Sequence, residues 1–277
     1  MAGRSPFISF QAHRGSVDEA PENTLPAFRH AWQFPGAVPE TDVRTTRDGA
    51  LVCVHDATLA RTTDAPAELR NVDIAELTLA QVRSCDAGVR FGGADANRRF
   101  AGARVPTLAE VFAELKREPA RRLYLEVKAV DLHQLRQMID DEGVRDRLLF
   151  VSGAQSMLLR LNELFPGVPT MTWIGGAPAE IERRFTQLEA TGFAGISQLQ
   201  LHLHVVTGEP AITYVLSEEF LRAAVARLAA HGAQLQLRPF AFDGRSLRRL
   251  IDLGVHWFVA DGPQRFAVAL DEADNLA

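Results

Sequence analysis

The chain has 277 residues, 47% of them hydrophobic and 23% charged, which is the composition of an ordinary globular protein with a sizeable core. Its formal net charge of −5 argues against nonspecific nucleic-acid binding, which needs a basic surface. No apolar stretch approaches the roughly 18 residues of a membrane span. The two cysteines, Cys53 and Cys85, lie in unrelated contexts and indicate reduced thiols rather than a disulfide framework.

The N-terminal segment argues against a cleaved signal peptide, because its short apolar run ends at His13, a candidate catalytic residue. We therefore expect a cytoplasmic protein without a stable membrane anchor. A small anionic partner is compatible with the negative net charge, since a bound cation and local basic residues invert the potential of a pocket. The sequence does not indicate an oligomeric state.

Apolar β-like runs alternate with helical patterns along almost the whole chain. The predicted strands cover residues 7–12, 38–43, 51–55, 122–128, 147–151, 168–173, 194–199, 234–238 and 256–260. The main predicted helices begin after Asn23 or Thr24, after Thr107, and near residues 131, 154, 178, 217, 244 and 263. About eight strand–helix units predict an α/β fold, a TIM (β/α)8 barrel formed by one domain over residues 1–277. A doubly wound sheet is the alternative, but it would more often carry a glycine-rich phosphate loop, and none is present.

Two segments depart from this alternation. Residues 56–106 are irregular except for a short helical pattern over 73–82, and they are too long for a simple connection, so we predict an inserted loop or cap. Residues 198–206 and 211–216 are alternating runs joined by a turn sequence, which predicts an extra β-hairpin after the sixth barrel strand. The hairpin either shapes the mouth of the substrate site or only packs as a lid.

Carboxylates at the ends of two predicted strands indicate a metal site. Glu40 and Asp42 are two residues apart on one strand and therefore project to the same face, and Glu126 shares a face with Lys128 on another. Three clustered carboxylates repel one another unless they are protonated, paired or neutralised by a cation. Oxygen ligands of this kind suit Mg²⁺ or Ca²⁺ better than Zn²⁺. The alternative is that the carboxylates only form salt bridges, with Arg14, Arg44 and Lys128.

Two histidines complete a chemistry suited to phosphate esters. His13 and His55 each follow an apolar run, and the basic residues Arg14 and Lys128 flank the carboxylates. A phosphodiester resists attack because its charge repels nucleophiles and its alkoxide is a poor leaving group. A cation neutralises the phosphate charge, and an imidazole acid–base pair can protonate the leaving alkoxide. The residue types thus indicate metal-assisted cleavage of a phosphate ester.

Several motifs occur in an order that resembles the glycerophosphodiester phosphodiesterase family. They are Ala12-His13-Arg14-Gly15, Pro21-Glu22-Asn23-Thr24, Glu40-Thr41-Asp42-Val43, Thr46-Arg47-Asp48-Gly49, His55-Asp56, Leu59-Ala60-Arg61-Thr62-Thr63, Val105-Pro106-Thr107-Leu108 and Leu125-Glu126-Val127-Lys128. Ordered agreement over the first 130 residues is far more specific than any single motif. The second half resembles the family mainly in its strand–helix rhythm and in Val259-Ala260-Asp261-Gly262-Pro263.

The resemblance implies a TIM barrel with a small insertion after strand two. It also implies a divalent metal and hydrolysis of glycerophosphodiesters to an alcohol and glycerol 3-phosphate. On the matching positions, the metal ligands would be Glu40, Asp42 and Glu126, the acid–base pair His13 and His55, and the phosphate-binding residues Arg14 and Lys128. The resemblance leaves open whether water or a neighbouring substrate hydroxyl attacks first.

The seventh strand departs from the family pattern. Members of the family usually carry a tryptophan followed by Thr-Val-Asn, whereas this chain has Leu237-Arg238-Pro239-Phe240-Ala241. We expect Arg238 either to bind a second anionic group of the substrate or to pair with Asp243. The departure bears on glycerol specificity more than on cleavage of the diester.

Two other functions are compatible with the sequence. A relative resembling a phospholipase D could cleave lysophospholipids or another small phosphodiester, with release of a cyclic phosphate as one route. Leu199, Leu201, Leu203 and Val205 could supply the apolar rim it needs. The second alternative is a binding protein whose barrel has lost its catalytic activity. The complete set of histidines and carboxylates argues against it.

Overall fold

The computed structural model describes residues 7–93, 99–209 and 211–276. Its strands are β1 (Ser9–Ala12), β2 (Ala37–Thr45), β3 (Leu51–Cys53), β4 (Leu123–Ala129), β5 (Leu148–Val151), β6 (Thr170–Ile174), β7 (Gln198–Leu203), β8 (Gln234–Pro239) and β9 (Trp257–Ala260). Its helices are α1 (Leu25–Ala31), α2 (Ala67–Arg70), α3 (Leu79–Ser84), α4 (Leu108–Leu115), α5 (Leu132–Glu142), α6 (Gln155–Leu164), α7 (Pro178–Glu189), α8 (Glu218–Ala230), α9 (Gly244–Asp252) and α10 (Pro263–Asp274). Each predicted strand overlaps an observed one.

The strands form one sheet in the order β1-β9-β8-β7-β6-β5-β4-β2-β3, and β1 also pairs with β2. The β1–β2 pairing closes eight parallel strands into a ring, while β3 runs antiparallel to β2 outside it. Helices follow the ring strands along the chain, so the fold is the predicted TIM (β/α)8 barrel. In barrels of this kind the carboxyl ends of the strands carry the active site.

The chain divides into two compact units. The first unit consists of Met1–Gln11, Val151–Ala260 and Gln264–Ala277, and the second of Ala12–Phe150 and Asp261–Pro263. Both candidate histidines and all three candidate metal-binding carboxylates belong to the second unit. That residues 1–277 form a single domain stays a prediction.

The inserted segment, residues 56–106, has a small core of its own. It contains α2, the 3-10 turn Ile74–Glu76 and α3, so the predicted helix over 73–82 is a turn followed by a helix that starts later. The buried side chains of this small core are Leu59, Ala65, Ile74, Leu77, Val82, Cys85, Ala87 and Val105, packed with Val52 and Val54. Because these residues pack on short turns, their spacing in the sequence follows neither the helical nor the strand period.

The predicted hairpin after the sixth ring strand is a short bridged loop. Val205 pairs with Tyr214 in an antiparallel bridge, and the N–H of Val206 donates to the carbonyl of Thr213 (2.9 Å). The sixth ring strand is β7, so residues 198–203 belong to the barrel rather than to a hairpin arm. Pro210, in the predicted turn, lies outside the described residues.

The position of β7 corrects one expectation from the sequence. Leu199, Leu201 and Leu203 are fully buried and Val205 is half-buried, so these residues do not form the exposed apolar rim that a lysophospholipid-cleaving enzyme would need. Within the part of the chain that the structure describes, no helix is long and apolar enough to cross a membrane.

Candidate active site

The loop after β1 places the first candidate residues. Arg14 and Gly15 both have left-handed backbone conformations, with φ of 49° and 86°. A Cβ atom at Gly15 would lie 2.8 Å from the Cβ of Ala27, so the turn requires glycine. This turn directs the backbone N–H of Arg14 to Glu40 Oε2, to which it donates at 2.7 Å.

Three carboxylates converge beside this loop, as the sequence predicts. Glu40 and Asp42 lie on β2, and Asp42 is the register partner of Glu126 on the parallel strand β4. One ligand oxygen from each residue lies within 4.8 Å of the others. Glu40 and Asp42 are 1% and 0% exposed, so water can do little to screen their charges.

The electrostatics of the cluster favour a cation. Burial and the neighbouring charges of Asp42 and Glu126 raise the pKa of Glu40 well above its usual value, and burial and Asp42 raise the pKa of Glu126. Oε1 of Glu40 is buried without a hydrogen-bond donor, and Oδ1 of Asp42 has only the Lys128 ammonium nearby, at 3.3 Å. Buried oxygens of this kind are costly unless a positive group meets them. The donor set fits a hard divalent ion, and the cluster could hold one.

Two basic residues share the cluster. Lys128 Nζ lies 3.3 Å from Asp42 Oδ1 and also pairs with Glu126, and Arg14 Nε lies 3.7 Å from Asp42 Oδ2. Burial disfavours the Lys128 ammonium, but Asp42 and Glu126 outweigh burial and raise its pKa. The predicted alternative of salt bridges is thus partly present. Arg44 instead donates to the backbone carbonyl of His55 at 2.8 and 3.0 Å.

His13 is held by a residue from the far end of the chain. Its Nδ1 lies 2.7 Å from Oδ1 of Asp261, which directly follows β9. The side chains of His13 and Asp261 are 17% and 32% exposed, so the pair is partly open to solvent. The sequence places Asp261 only within a family-like motif and does not indicate that it contacts His13.

His55 is held in the same way by the residue that follows it. His55 Nδ1 lies 2.7 Å from Asp56 Oδ1, and Arg61 Nε donates to Asp56 Oδ2 at 2.7 Å. Hydrogen bonding from Arg61 is the largest cause that lowers the pKa of Asp56 to about 2, and His55 adds to it. His55 therefore faces a carboxylate that stays ionised above strongly acidic pH.

Arg61 connects this pair to Arg14 through a shared carboxylate. Its guanidinium donates to both oxygens of Glu22, at 2.6 and 2.7 Å, and Arg14 Nη1 donates to Glu22 Oε1 at 3.0 Å. Burial opposes the charge on Glu22, but Arg61 and Arg14 lower its pKa overall. An alternating chain of charges thus runs from Asp56 through Arg61 and Glu22 to Arg14, and His55 joins it through its contact with Asp56.

Sequence reasoning missed the roles of Asn23, Glu22, Arg61 and Asp261. All four lie in motifs that carry the family resemblance, and Asn23 is otherwise interpreted only as a candidate helix cap. In the structure the N-cap of α1 is Thr24, whose side chain accepts from the N–H of Ala27. Their partners lie in other loops and strands, between 5 and 248 positions away, so spacing within one element gives no signal for these contacts.

Arg238 belongs to the first unit, at the carboxyl end of β8. Its guanidinium carbon lies 5.3 Å from the centroid of the Phe240 ring, which is 43% exposed. The ring of His204 stacks on Phe240 with centroids 4.5 Å apart. Asp243, the predicted alternative partner, caps α9 by accepting from the N–H of Ser246 at 2.7 Å. The predicted roles of Arg238 stay predictions.

The fold and this set of side chains define an enzyme that acts on phosphate esters, and comparison with known proteins gives the family. The model of the glycerophosphoryl diester phosphodiesterase family matches residues 13–265. The chain therefore belongs to this family, and it is an enzyme of the phosphoric diester hydrolase class.

The matched relatives include two bacterial glycerophosphodiester phosphodiesterases. One from Caldanaerobacter subterraneus subsp. tengcongensis is 42% identical over 101 residues, a match that spans 36% of this chain and only 37% of the relative. One from Bacillus subtilis is 24% identical over 270 residues, covering 92% of this chain and 84% of the relative.

A solved structure is similar over nearly the whole chain. It is an Oleispira antarctica phosphodiesterase in complex with the product sn-glycerol-3-phosphate. The TM-score is 0.66 with 24% sequence identity, and the match covers 96% of this chain and 97% of that one. At this identity the likeness establishes the fold.

Proposed function

We propose that the protein is a divalent-metal-dependent phosphodiesterase that hydrolyses glycerophosphodiesters to an alcohol and glycerol 3-phosphate. The observation that carries this proposal is the convergence of Glu40, Asp42 and Glu126, with Oε1 of Glu40 buried and without a hydrogen-bond donor. A cluster of this kind in a phosphodiesterase family calls for a cation, and Mg²⁺ or Ca²⁺ suits its oxygen donors. A bound ion would neutralise charge on the phosphate and act as a Lewis acid.

The basic residues then have a role in binding the phosphate. Arg14 and Lys128 each have a side chain about one-fifth exposed or less, so they are fixed but still reachable from solvent. Both already contact the carboxylate cluster, which keeps their charges beside the proposed metal site. A phosphate oxygen approaching this site would meet a guanidinium and an ammonium together, which are suitable partners for its negative charge.

The two histidines divide the proton transfers. One imidazole removes a proton from the attacking hydroxyl or water, and the other protonates the departing alkoxide, as an in-line displacement requires of groups on opposite faces of the phosphorus. We propose His13 and His55 for these two roles, because each ring is held by a carboxylate at 2.7 Å in the same unit as the metal cluster.

Product and substrate are proposed from two observations. The similar Oleispira antarctica phosphodiesterase holds sn-glycerol-3-phosphate, the product that our proposal requires. A cavity of about 380 Å³ also lies beside the charge chain, and its walls include Glu22, Arg61 and Phe91. This space could take the alcohol part of a small diester.

The proposal also includes a cytoplasmic location, no nucleic-acid partner and no stable membrane anchor.

The proposal is tested by turnover of glycerophosphocholine with Mg²⁺, with Ca²⁺ and with a chelator, with products identified by phosphorus NMR. We expect glycerol 3-phosphate, and we expect chelation to abolish turnover. A cyclic phosphate as the final product would favour the phospholipase-like alternative, and binding without turnover would favour the non-catalytic one.

The roles of the histidines are tested separately. Replacing either His13 or His55 by alanine should lower kcat by roughly 10²–10⁴-fold, the usual contribution of general acid–base catalysis. His133→Ala is the matched control, because His133 is an exposed residue on α5. If the two site variants retain the kcat of this control, the acid–base proposal is wrong.

A further inference from the structure

His13 and Asp261 form a contact that no motif of the sequence explains. They are 248 positions apart, yet His13 Nδ1 and Asp261 Oδ1 lie 2.7 Å from each other. An ionised carboxylate can only accept hydrogen bonds, so in this contact the hydrogen belongs to Nδ1 of the imidazole. The other ring nitrogen of His13, Nε2, is then the one that exchanges a proton with a reacting group.

We propose that Asp261 is a positioning residue for the phosphodiesterase reaction, acting through His13. This inference rests on the proposed acid–base role of His13. Asp261 selects the tautomer with hydrogen on Nδ1, fixes the ring against rotation and stabilises the imidazolium that forms when Nε2 takes up a proton. Asp261 stays a carboxylate throughout, and the transferred proton moves only between Nε2 and the reacting oxygen.

The second histidine shows the same arrangement with a different partner. His55 Nδ1 lies 2.7 Å from Asp56 Oδ1, the same distance and the same ring atom as in the His13 pair. Asp56 comes from the adjacent position, whereas Asp261 follows the last ring strand. Each histidine thus contacts a carboxylate through Nδ1, and the two carboxylates come from different parts of the chain. In both rings Nε2 is then the atom that transfers a proton, as an acid–base pair requires.

The backbone around Asp261 fixes where its carboxylate points. The carbonyl of Asp261 accepts from the N–H of Asp18 at 3.0 Å, which ties it to the loop that begins at His13. The next residue, Gly262, lies so close to this loop that an added Cβ would come within 2.7 Å of Glu19 Oε1. The segment is therefore held against the His13 loop by both a hydrogen bond and close packing. These contacts keep Asp261 beside His13.

A double-mutant cycle tests whether Asp261 acts through His13. Asp261→Asn, which keeps the size of the side chain, should lower kcat for glycerophosphocholine by roughly 10–100-fold, which is less than the roughly 10²–10⁴-fold expected for losing His13. In a His13→Ala background the same change should have little further effect, because the residue through which it acts is gone. Equal losses in both backgrounds, or no loss in the wild type, would overturn the inference.

The tautomer of His13 gives a readout that does not depend on activity. Nitrogen-15 NMR of the ring should show hydrogen on Nδ1 in the wild type, and Asp261→Ala should shift the neutral ring toward hydrogen on Nε2. An unchanged tautomer in a folded variant contradicts the inference. If Asp261→Ala does not fold, Asp261→Glu, which keeps the charge but moves it by one methylene, should perturb the same signals.

Controls separate this inference from the proposed function. Asp252→Asn removes an exposed aspartate that pairs with Arg248 on α9, and it should leave kcat and the His13 signals unchanged. If His13→Ala itself leaves kcat unchanged, the proposed acid–base role has failed, and the NMR result alone decides whether Asp261 sets the tautomer. If His13→Ala lowers kcat but Asp261→Asn does not, only the positioning inference has failed.

Discussion

Asn23 binds Asp42 through both ends of its side-chain amide. Its Nδ2 donates to Asp42 Oδ2 at 2.9 Å, and its Oδ1 accepts from the backbone N–H of Asp42 at 3.1 Å and from Thr41 Oγ1 at 2.9 Å. Asn23 adopts a left-handed backbone with φ of 54°, which asparagine tolerates better than most residues. The carboxylate of Asp42 is thus oriented from outside the cluster, and its Oδ1 lies 3.3 Å from Lys128 Nζ.

Asn23→Gly removes the side-chain amide without straining the backbone, because glycine accepts a positive φ. The variant therefore measures the contribution of the amide alone. We expect the free energy of unfolding to fall by about 1–3 kcal/mol, the cost of leaving a buried polar group without its partner. Divalent-metal affinity should fall as well, as measured by calorimetry. Asn23→Asp is the second variant, because it keeps the shape of the side chain but places a negative charge beside Asp42. It should lower the free energy of unfolding of the metal-free protein more than Asn23→Gly does. Equal stability of both variants with the wild type would contradict this role.

Arg61 should affect catalysis more than stability. Its side chain is 47% exposed, so its ion pairs contribute no more than about 1 kcal/mol to folding. Arg61→Ala nevertheless removes a hydrogen-bond partner from both Glu22 and Asp56. Since these carboxylates hold Arg14 and His55, the positions of both should change as well. Since small misplacements of reacting groups are costly, kcat should fall roughly 10-fold or more. Arg83→Ala, which removes another ion pair of the inserted segment, is the control. Equal kcat in the two variants would show that the charge chain has no function.

The pH dependence of stability should carry a contribution from Asp56. Its pKa is about 2 in the folded protein against the usual 3.8 of an aspartate, so the stabilisation is complete above about pH 4 and is lost as the pH falls toward 2. Allowing for solvent screening, Asp56→Asn should remove about 1 kcal/mol at neutral pH and progressively less below pH 4. Urea unfolding of both proteins across this range measures the difference. A difference that stays constant with pH would contradict the assignment.

Arg238 should influence which diester is preferred. It stands at the carboxyl end of β8, where the barrel fold collects substrate-binding groups, in place of the aromatic residue expected from the family resemblance. We expect Arg238→Ala to raise KM, or to change the order of preference, across a panel of diesters with neutral and anionic head groups. Arg245→Ala on α9 is the control for a simple loss of positive charge. Unchanged kinetics over the whole panel would remove Arg238 from the site.

The sequence predicted the parts of the site that follow from local geometry. Glu40 and Asp42 share a face because side chains alternate along a strand, and the parallel pairing of β2 with β4 brings Glu126 beside Asp42. The strand–helix alternation likewise predicted the ring. These features depend on spacing within one element or on the order of neighbouring elements, and both can be read from a sequence.

The parts that the sequence did not predict depend on packing between distant segments. Asp261 meets His13 only because the last ring strand returns to the first. β7 shows a second limit: its alternation of glutamine and leucine suggests one exposed face, yet Gln198 and Gln200 are 3% and 4% exposed. A period of two shows that the two faces differ, but it does not show that either of them meets solvent.

The most direct test of the account is calorimetric titration of the protein, after treatment with a chelator, with Mg²⁺ and with Ca²⁺. We predict that one ion binds, and that Glu40→Gln, Asp42→Asn and Glu126→Gln each weaken its affinity by roughly 10-fold or more, while Glu163→Gln on the exposed face of α6 does not. Absence of binding, or equal affinity in all four variants, would contradict the proposed metal site and the reaction built on it.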